Sequence, residues 1–329
     1  MTTQEKKTNN VYREKILNSV LEKYYNPDSK YDYCVLFSGG KDSTYLANIM
    51  KQMKGGRVCT LTVDNGFEDE VFLDHVKKVA DKIGVDSYII TPPKEDFELL
   101  FNYVIKEPKL RAVDSNAICY FCGQYIMKAG IRFAEENNIP VVIHGMSPTQ
   151  YNLPDKLENE EVSEQAFIRN IELLEMYRNK NIQDVYKLAK TLYRYNNDPQ
   201  IKEIMDKTFY QSKKVKMIIP FQYLDYNVEN IKSIIEKELD WVNMFGYSNS
   251  LYISSGCRMF EIFLLMEKKI PGFRVHEHRE FAQDFNKGHV TKKAYDYALD
   301  VAKTLQDQEE ISPTMHSLIK RIGLEEELL

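Results

Sequence analysis

Short apolar runs alternate along this chain with stretches whose apolar residues recur every three or four positions, the spacing of one helical face. Val11, Ile16, Leu17, Val20 and Leu21 fall on one side of a helix over about 11–25. Tyr33-Cys34-Val35-Leu36-Phe37 predicts a strand and residues 43–53 a helix. Val58 to Val63 predicts a second strand, which runs out into Asp64-Asn65-Gly66-Phe67. A helix fits 68–83, a strand 86–90, and helices about 94–105 and 120–137. Val141-Val142-Ile143-His144-Gly145 predicts a fourth strand. Strands and helices alternating in this way imply an α/β fold, a parallel sheet with helices on both faces. Ligands of such sheets sit beyond the carboxyl ends of the strands. The loops at 38–43, 64–67 and 144–150 are therefore expected to converge on one crevice.

From about residue 151 the pattern changes. Residues 155–210 are charged, tyrosine-rich and helical in spacing. The expected organisation is a domain over 1–150 with an N-terminal helix, followed by a mainly helical C-terminal lobe over 151–329. The apolar run at 215–219, followed by Pro220-Phe221, offers a return to the sheet near 215–221. Helical periodicity resumes over 227–240, 257–269 and 291–306, and the tail after 310 is read as a terminal helix or a mobile end.

Bulk properties narrow the class. A chain of 329 residues can bury a substantial core. The formal charge of −5 gives no global basic field to recruit nucleic acid, although a local basic groove stays open. No apolar stretch is long enough for a membrane span, and Met1 to Asn10 is polar, so a cytoplasmic protein is expected. Five cysteines in such a chain point to metal binding, catalysis or burial rather than disulfides. Cys34 and Cys59 lie within predicted strands and read as small core residues.

The densest chemistry is Ser38-Gly39-Gly40-Lys41-Asp42-Ser43, set between the first strand and its helix. A glycine pair lets the backbone turn sharply and approach a ligand. The free amides of the following helix favour bound phosphate, Lys41 adds a positive charge, and Ser38 and Ser43 add hydroxyls. The spacing is not that of the G-x-x-x-x-G-K-[ST] loop. Ser-Gly-Gly-x-Asp-Ser instead resembles the PP-loop of the ATP pyrophosphatases, which split ATP between the α and β phosphates. With Thr62 to Phe67 the resemblance extends over roughly residues 30–150. It implies that Ser38, Gly39, Gly40, Asp42 and Ser43 hold ATP phosphates and Mg²⁺, with Lys41 on the pyrophosphate. It also implies that Val63 and Asp64 lie against adenosine, and that Gly145 closes the pocket.

Two branches of that superfamily are similar to different parts of the chain. Cys119-Tyr120-Phe121-Cys122, at the start of the helix before the fourth strand, resembles the cysteine pair of the sulfur-inserting tRNA thiolases, with Cys257 as the third thiol. That resemblance implies metal ligation by Cys119, Cys122 and Cys257 in a 4Fe–4S cluster with one open iron, or else a persulfide resolved by a neighbouring cysteine. Ser254-Ser255-Gly256 reads as a helix-start turn that lowers the Cys257 pKa. Residues 218–240 and the region Phe273 to Ala298 are similar to N-acetyl sugar amidotransferases of surface-polysaccharide synthesis, which implies ammonia from a separate glutaminase subunit. His144, at a strand end, is a candidate for nucleotide or substrate contact, whereas His276 and His278, flanking Glu277, offer a metal pair but read more readily as part of a solvated face.

Both branches imply one chemistry. A carbonyl or amide oxygen attacks the α-phosphate, pyrophosphate leaves, and sulfur or nitrogen displaces AMP. Sulfur transfer is the favoured expectation, because it employs Cys119, Cys122 and Cys257 beside Lys41 and Asp42. The acceptor is a small molecule, a nucleotide sugar or tRNA, the further partners a sulfur donor or glutaminase subunit, and a homodimer is one arrangement open to the chain.

Overall fold

Five short runs rich in β-branched and aromatic residues pair into one sheet. The computed structural model describes residues 3–53, 55–113, 117–150, 163–242, 256–307 and 310–329, with the side chains of 3–10 and Leu305 left aside. The first half comprises α1 (Thr3–Glu22), β1 (Tyr33–Leu36), α2 (Lys41–Met50), β2 (Val58–Val63), α3 (Phe72–Ile83) and β3 (Asp86–Ile90). Then come α4 (Lys94–Lys106), α5 (Pro108–Arg111), α6 (Ala117–Glu136) and β4 (Val141–Ile143). The second half adds α7 (Glu164–Lys190), α8 (Tyr193–Asn197), α9 (Pro199–Thr208), β5 (Lys216–Ile218) and α10 (Val228–Leu239). It ends with α11 (Met259–Lys269), α12 (His276–Asn286), α13 (Lys292–Gln306), α14 (Pro313–Arg321) and α15 (Glu325–Leu328).

The strands run parallel in the order β3-β2-β1-β4-β5, with Cys34 opposite both Cys59 and Val142. β1 and β2 are buried along their whole lengths, which is why they read as continuous apolar runs rather than as alternation. Their odd and even positions serve different layers. Tyr33, Val35 and Val58 face a core built with Leu46, Val76 and Ile235 from α2, α3 and α10. Cys34, Leu36 and Cys59 face Met127, Ile131 and Ala134 of α6, so both cysteines are core residues. A third cluster joins Phe97, Phe101 and Phe121 to Phe263 of α11, each ring contributing about 2–3 kcal/mol by leaving water. Strand order reverses between β1 and β4, and the crevice outside their carboxyl ends is where α/β sheets take ligands.

The elements differ from expectation in two places, at α3 and α12, while the tail takes the helical form that was one of the two expected. α3 begins at Phe72, not near 68, because residues 67–69 are pinned in extended form against 256–258. The charged stretch after Gly272 is helical, forming α12, and its His276 is buried rather than solvated. The tail after 310 folds into α14 and α15, and Arg321 donates 2.8 Å hydrogen bonds to Gly66 O and Glu98 Oε1. Residues 151–162, the start of the helical lobe, and Ser254 and Ser255 of the expected turn lie outside the described residues. Among the described residues, no helix is long and apolar enough to cross a membrane.

Candidate active site

The turn after β1 is shaped by its glycines and by the start of α2. Gly39 adopts φ +68°, and a Cβ there would come within 2.8 Å of the His75 ring, so glycine is required on two counts. Its carbonyl accepts from Trp241 Nε1 at 2.9 Å and lies 2.9 Å from His75 Nε2. Burial holds the His75 pKa below its usual value, so the ring is neutral and donates Nε2–H to Gly39 O. Gly40 caps α2 without a side-chain acceptor, leaving first-turn amides for a phosphate. Ser43 Oγ accepts from Ser38 N at 3.2 Å and lies 3.2 Å from both Ser38 Oγ and Gly40 O. Lys41 is buried, with Nζ 2.7 Å from Asp42 Oδ2, while Asp42 Oδ1 is buried without a partner. A Cβ on Gly145 would meet Ser43 N at 3.5 Å, so the turn after β4 rests directly on the start of α2.

The cysteines arrive from two directions. Cys119 and Cys122 stand in the first two turns of α6. Cys257 is carried in by backbone pairing: Asp69 N donates to Gly256 O and Arg258 N to Phe67 O, both at 2.8 Å, which sets Cys257 against Glu68. Asn65 Nδ2 reaches Glu68 Oε1 at 3.4 Å and Cys122 Sγ at 3.9 Å, tying the β2 loop to α6. The three thiols feel one another's charge, as well as those of Glu68 and Glu277. Burial, reinforced by these carboxylates, pushes Cys122 up to about 12 and Cys119 and Cys257 well above the usual thiol value. The lowered Cys257 pKa expected of a helix-start turn is therefore corrected: enclosure and Glu68 outweigh the backbone donor of Met259.

A cavity of about 300 Å³ joins the two sets, with Lys41, Asp42, Cys119 and Cys257 in its wall. Of the rest of that wall, sequence reasoning weighed His276 beside Glu277 and passed over Tyr226, Glu280 and Asp284. Tyr226 faces the Lys41 ammonium, 6.0 Å from its ring centre. Gln150 Nε2 lies 3.5 Å from Glu280 Oε2, and Thr149 Oγ1 donates to Asp284, so the loop after β4 is tied to α12. Burial first, and Glu277 among its neighbours, pushes Glu280 up to about 7. Burial and Asp64 push Glu68 up to about 8. The signals for these residues were present: Tyr226 and the sole tryptophan lie in the 218–241 stretch, and His276 in a His-Glu-His run.

The remaining candidates fall nearby with different roles. Val63 is core, and Asp64 caps its own turn through Gly66 N at 2.9 Å. His144 extends the β4–β5 ladder through Ile218 O at 3.0 Å but is not in the cavity wall. Burial and the Arg178 charge hold its pKa near about 3, so it is neutral.

The parallel sheet, its strand order and the glycine turn that opens α2 define a protein of the PP-loop class. Residues 19–218 match the family described as asparagine synthase, and the chain belongs to that family, within the PP-loop ATP pyrophosphatases. The chain is 40% identical over 97 residues to the tRNA-specific 2-thiouridylase MnmA of Lactobacillus delbrueckii subsp. bulgaricus, covering 25% of this chain and 24% of that protein. It is 28% identical over 112 residues to the argininosuccinate synthase of Pyrococcus furiosus, covering 33% and 26%. The matches thus span about a quarter of the length of these curated relatives. Among solved structures, the U34-tRNA thiolase NcsA from Methanococcus maripaludis with its [4Fe-4S] cluster aligns at TM-score 0.39 and 16% identity, over 91% of this chain and 82% of that one. The NH3-dependent NAD synthetase from Campylobacter jejuni aligns at 0.33 and 14%, over 62% and 97%.

Proposed function

We propose that this protein is an ATP-dependent sulfurtransferase. One observation carries the reading: the PP-loop residues Lys41 and Asp42 and the thiols Cys119 and Cys257 border a single cavity. An acceptor carbonyl or amide oxygen attacks the α-phosphate of ATP and pyrophosphate departs. First-turn amides of α2, Ser38 and Ser43 bind the phosphates, Lys41 balances charge on the leaving group, and Asp42 orients Mg²⁺. Gly145 lets the β4 turn close over Ser43 without a side chain.

Sulfur then adds to the activated carbon and the C–O bond to AMP breaks, the phosphate oxygen keeping the electron pair. In the persulfide form, loaded by a sulfane-sulfur donor rather than by sulfide, the terminal sulfur attacks. A second cysteine thiol then displaces it and leaves a disulfide, and an external thiol reductant reopens the disulfide. The cysteines also suit a cluster. Cys257 lies within charge range of Cys122 and Cys119, and three thiols are the soft donor set that such a cluster takes. A 4Fe–4S cluster on Cys119, Cys122 and Cys257 would supply an open iron for sulfide. The 40% identity to a tRNA thiouridylase over a quarter of its length supports sulfur as nucleophile and tRNA as acceptor.

The membership of an asparagine synthase family favours a second reading, amide transfer with ammonia from a glutaminase subunit onto an N-acetyl sugar nucleotide. One comparison decides between them: AMP-linked product formation with sulfide against ammonium, using total tRNA and nucleotide-activated N-acetyl sugars as acceptors. Sulfide-dependent turnover that falls when Cys122 is replaced by serine supports the proposal. Turnover with ammonium that ignores this change refutes it.

A further inference from the structure

A second donor set shares Cys119 with the thiol cluster. The Cys119 thiol, a ring nitrogen of His276 and a carboxylate oxygen of Glu277 lie within 4.8 Å of one another. Cys119 comes from α6, the other two from the first turn of α12, so two elements distant in sequence meet on these atoms. Glu277 Oε2 is shut off from solvent, accepts no hydrogen bond, and lies 3.0 Å from His276 Nδ1. The His276 ring is thus the one group set against this oxygen among the described contacts, and a cation between the two would satisfy both donors.

The surrounding charge points the same way. The cavity wall carries Asp42, Glu277, Glu280 and Asp284 against Lys41 and His276, and Lys41 is already engaged by Asp42 at 2.7 Å. The Mg²⁺ that accompanies ATP takes oxygen ligands and keeps much of its water. Sulfur, imidazole and carboxylate together are instead the donors of a borderline-soft divalent ion, and three of them leave a fourth position for a ligand in the cavity.

We propose that Cys119, His276 and Glu277 bind one divalent cation of the zinc class, with its open position facing the nucleotide cavity. The ion and a 4Fe–4S cluster compete for Cys119; with the ion in place, Cys122 and Cys257 remain as the pair that carries and releases sulfur. The site does not depend on the nature of the transferred atom, and metal binding reads it without any acceptor.

The test is Co²⁺ titration of the chelator-treated full chain, followed by displacement with Zn²⁺. The expected result is one equivalent with thiolate-to-cobalt absorption, unchanged in Cys122→Ser. His276→Ala and Glu277→Gln should weaken binding by at least roughly the tenfold that loss of even an outer-shell partner costs. Thermal unfolding of each variant identifies any that fail to fold, and Glu277→Gln, nearly isosteric, keeps the test open if His276→Ala does so. Absence of cobalt binding overturns the proposal. So does a metal centre that needs Cys122 but is indifferent to His276 and Glu277, which is the signature of the three-cysteine cluster.

Discussion

Single residues bear distinct parts of the phosphate site. Ser43 Oγ sits 3.2 Å from Gly40 O and accepts from Ser38 N, so it shapes the turn as well as facing ligand. Ser43→Ala and Asp42→Ala should each lower pyrophosphate release by about 10²–10³-fold, as loss of one transition-state donor does, while circular dichroism stays native. Full activity in both variants would remove the PP-loop from the mechanism. Trp241 and His75 act one step back, fixing the Gly39 carbonyl. Trp241→Phe keeps the ring but loses the donor, at about 1 kcal/mol of stability, and a raised KM for ATP should accompany it. His144 gives a pH signature. Its folded pKa, near about 3, is below the usual 6.5, so the unfolded chain takes up the proton first as pH falls. Stability is complete above 6.5 and declines between 6.5 and about 3, by up to about 1.4 kcal/mol per pH unit. A urea series across that range should show a flatter slope in His144→Gln; an unchanged slope would contradict the assignment.

At the scale of elements, the site depends on a clamp. Residues 67–69 and 256–258 hold each other extended, and α14 braces them from behind. Arg321 bonds Gly66 O, pairs with Glu98 and lies 4.4 Å from the centre of the Phe67 ring. Arg321→Ala should cost about 2 kcal/mol in urea unfolding, and it should loosen Cys257 as measured by faster alkylation of that thiol. No change in either would show that the C-terminal helix is not a brace. This clamp also marks the limit of what the sequence made legible. β2 was readable to the residue because a buried strand in a parallel sheet is a continuous apolar run, and β3, an edge strand with exposed Asp86 and Ser87, was readable from Tyr88-Ile89-Ile90. The PP-loop was readable because its glycines and helix start are adjacent in the chain. The isolated pairing of Glu68 with Cys257 spans 189 positions and leaves no local pattern, so α3 was drawn several residues too long. α12 was missed for a related reason. Its buried face includes His276 beside Phe281, and polar residues that line a cavity look like surface when only hydropathy is read.

For the whole molecule, the sheet supplies a rigid floor and the C-terminal helices a wall of acids and thiols. β5, contributed from beyond α9, completes the sheet, so the C-terminal half is bound to the nucleotide floor by backbone pairing as well as by side chains. The wall sets Cys119 and Cys257 around the same cavity as Lys41. The central claim is that ATP cleavage between the α and β phosphates is coupled to sulfur addition in this one cavity. The most direct measurement follows ³⁵S, supplied as sulfide and in parallel as a sulfane-sulfur donor with a thiol reductant, together with ATP and total tRNA, counting AMP, pyrophosphate and acceptor-bound sulfur. The account predicts equal amounts of all three, lost in Asp42→Ala and in Cys122→Ser. Release of ADP and phosphate, or AMP and pyrophosphate formed with ammonium while no sulfur reaches any acceptor, would contradict it.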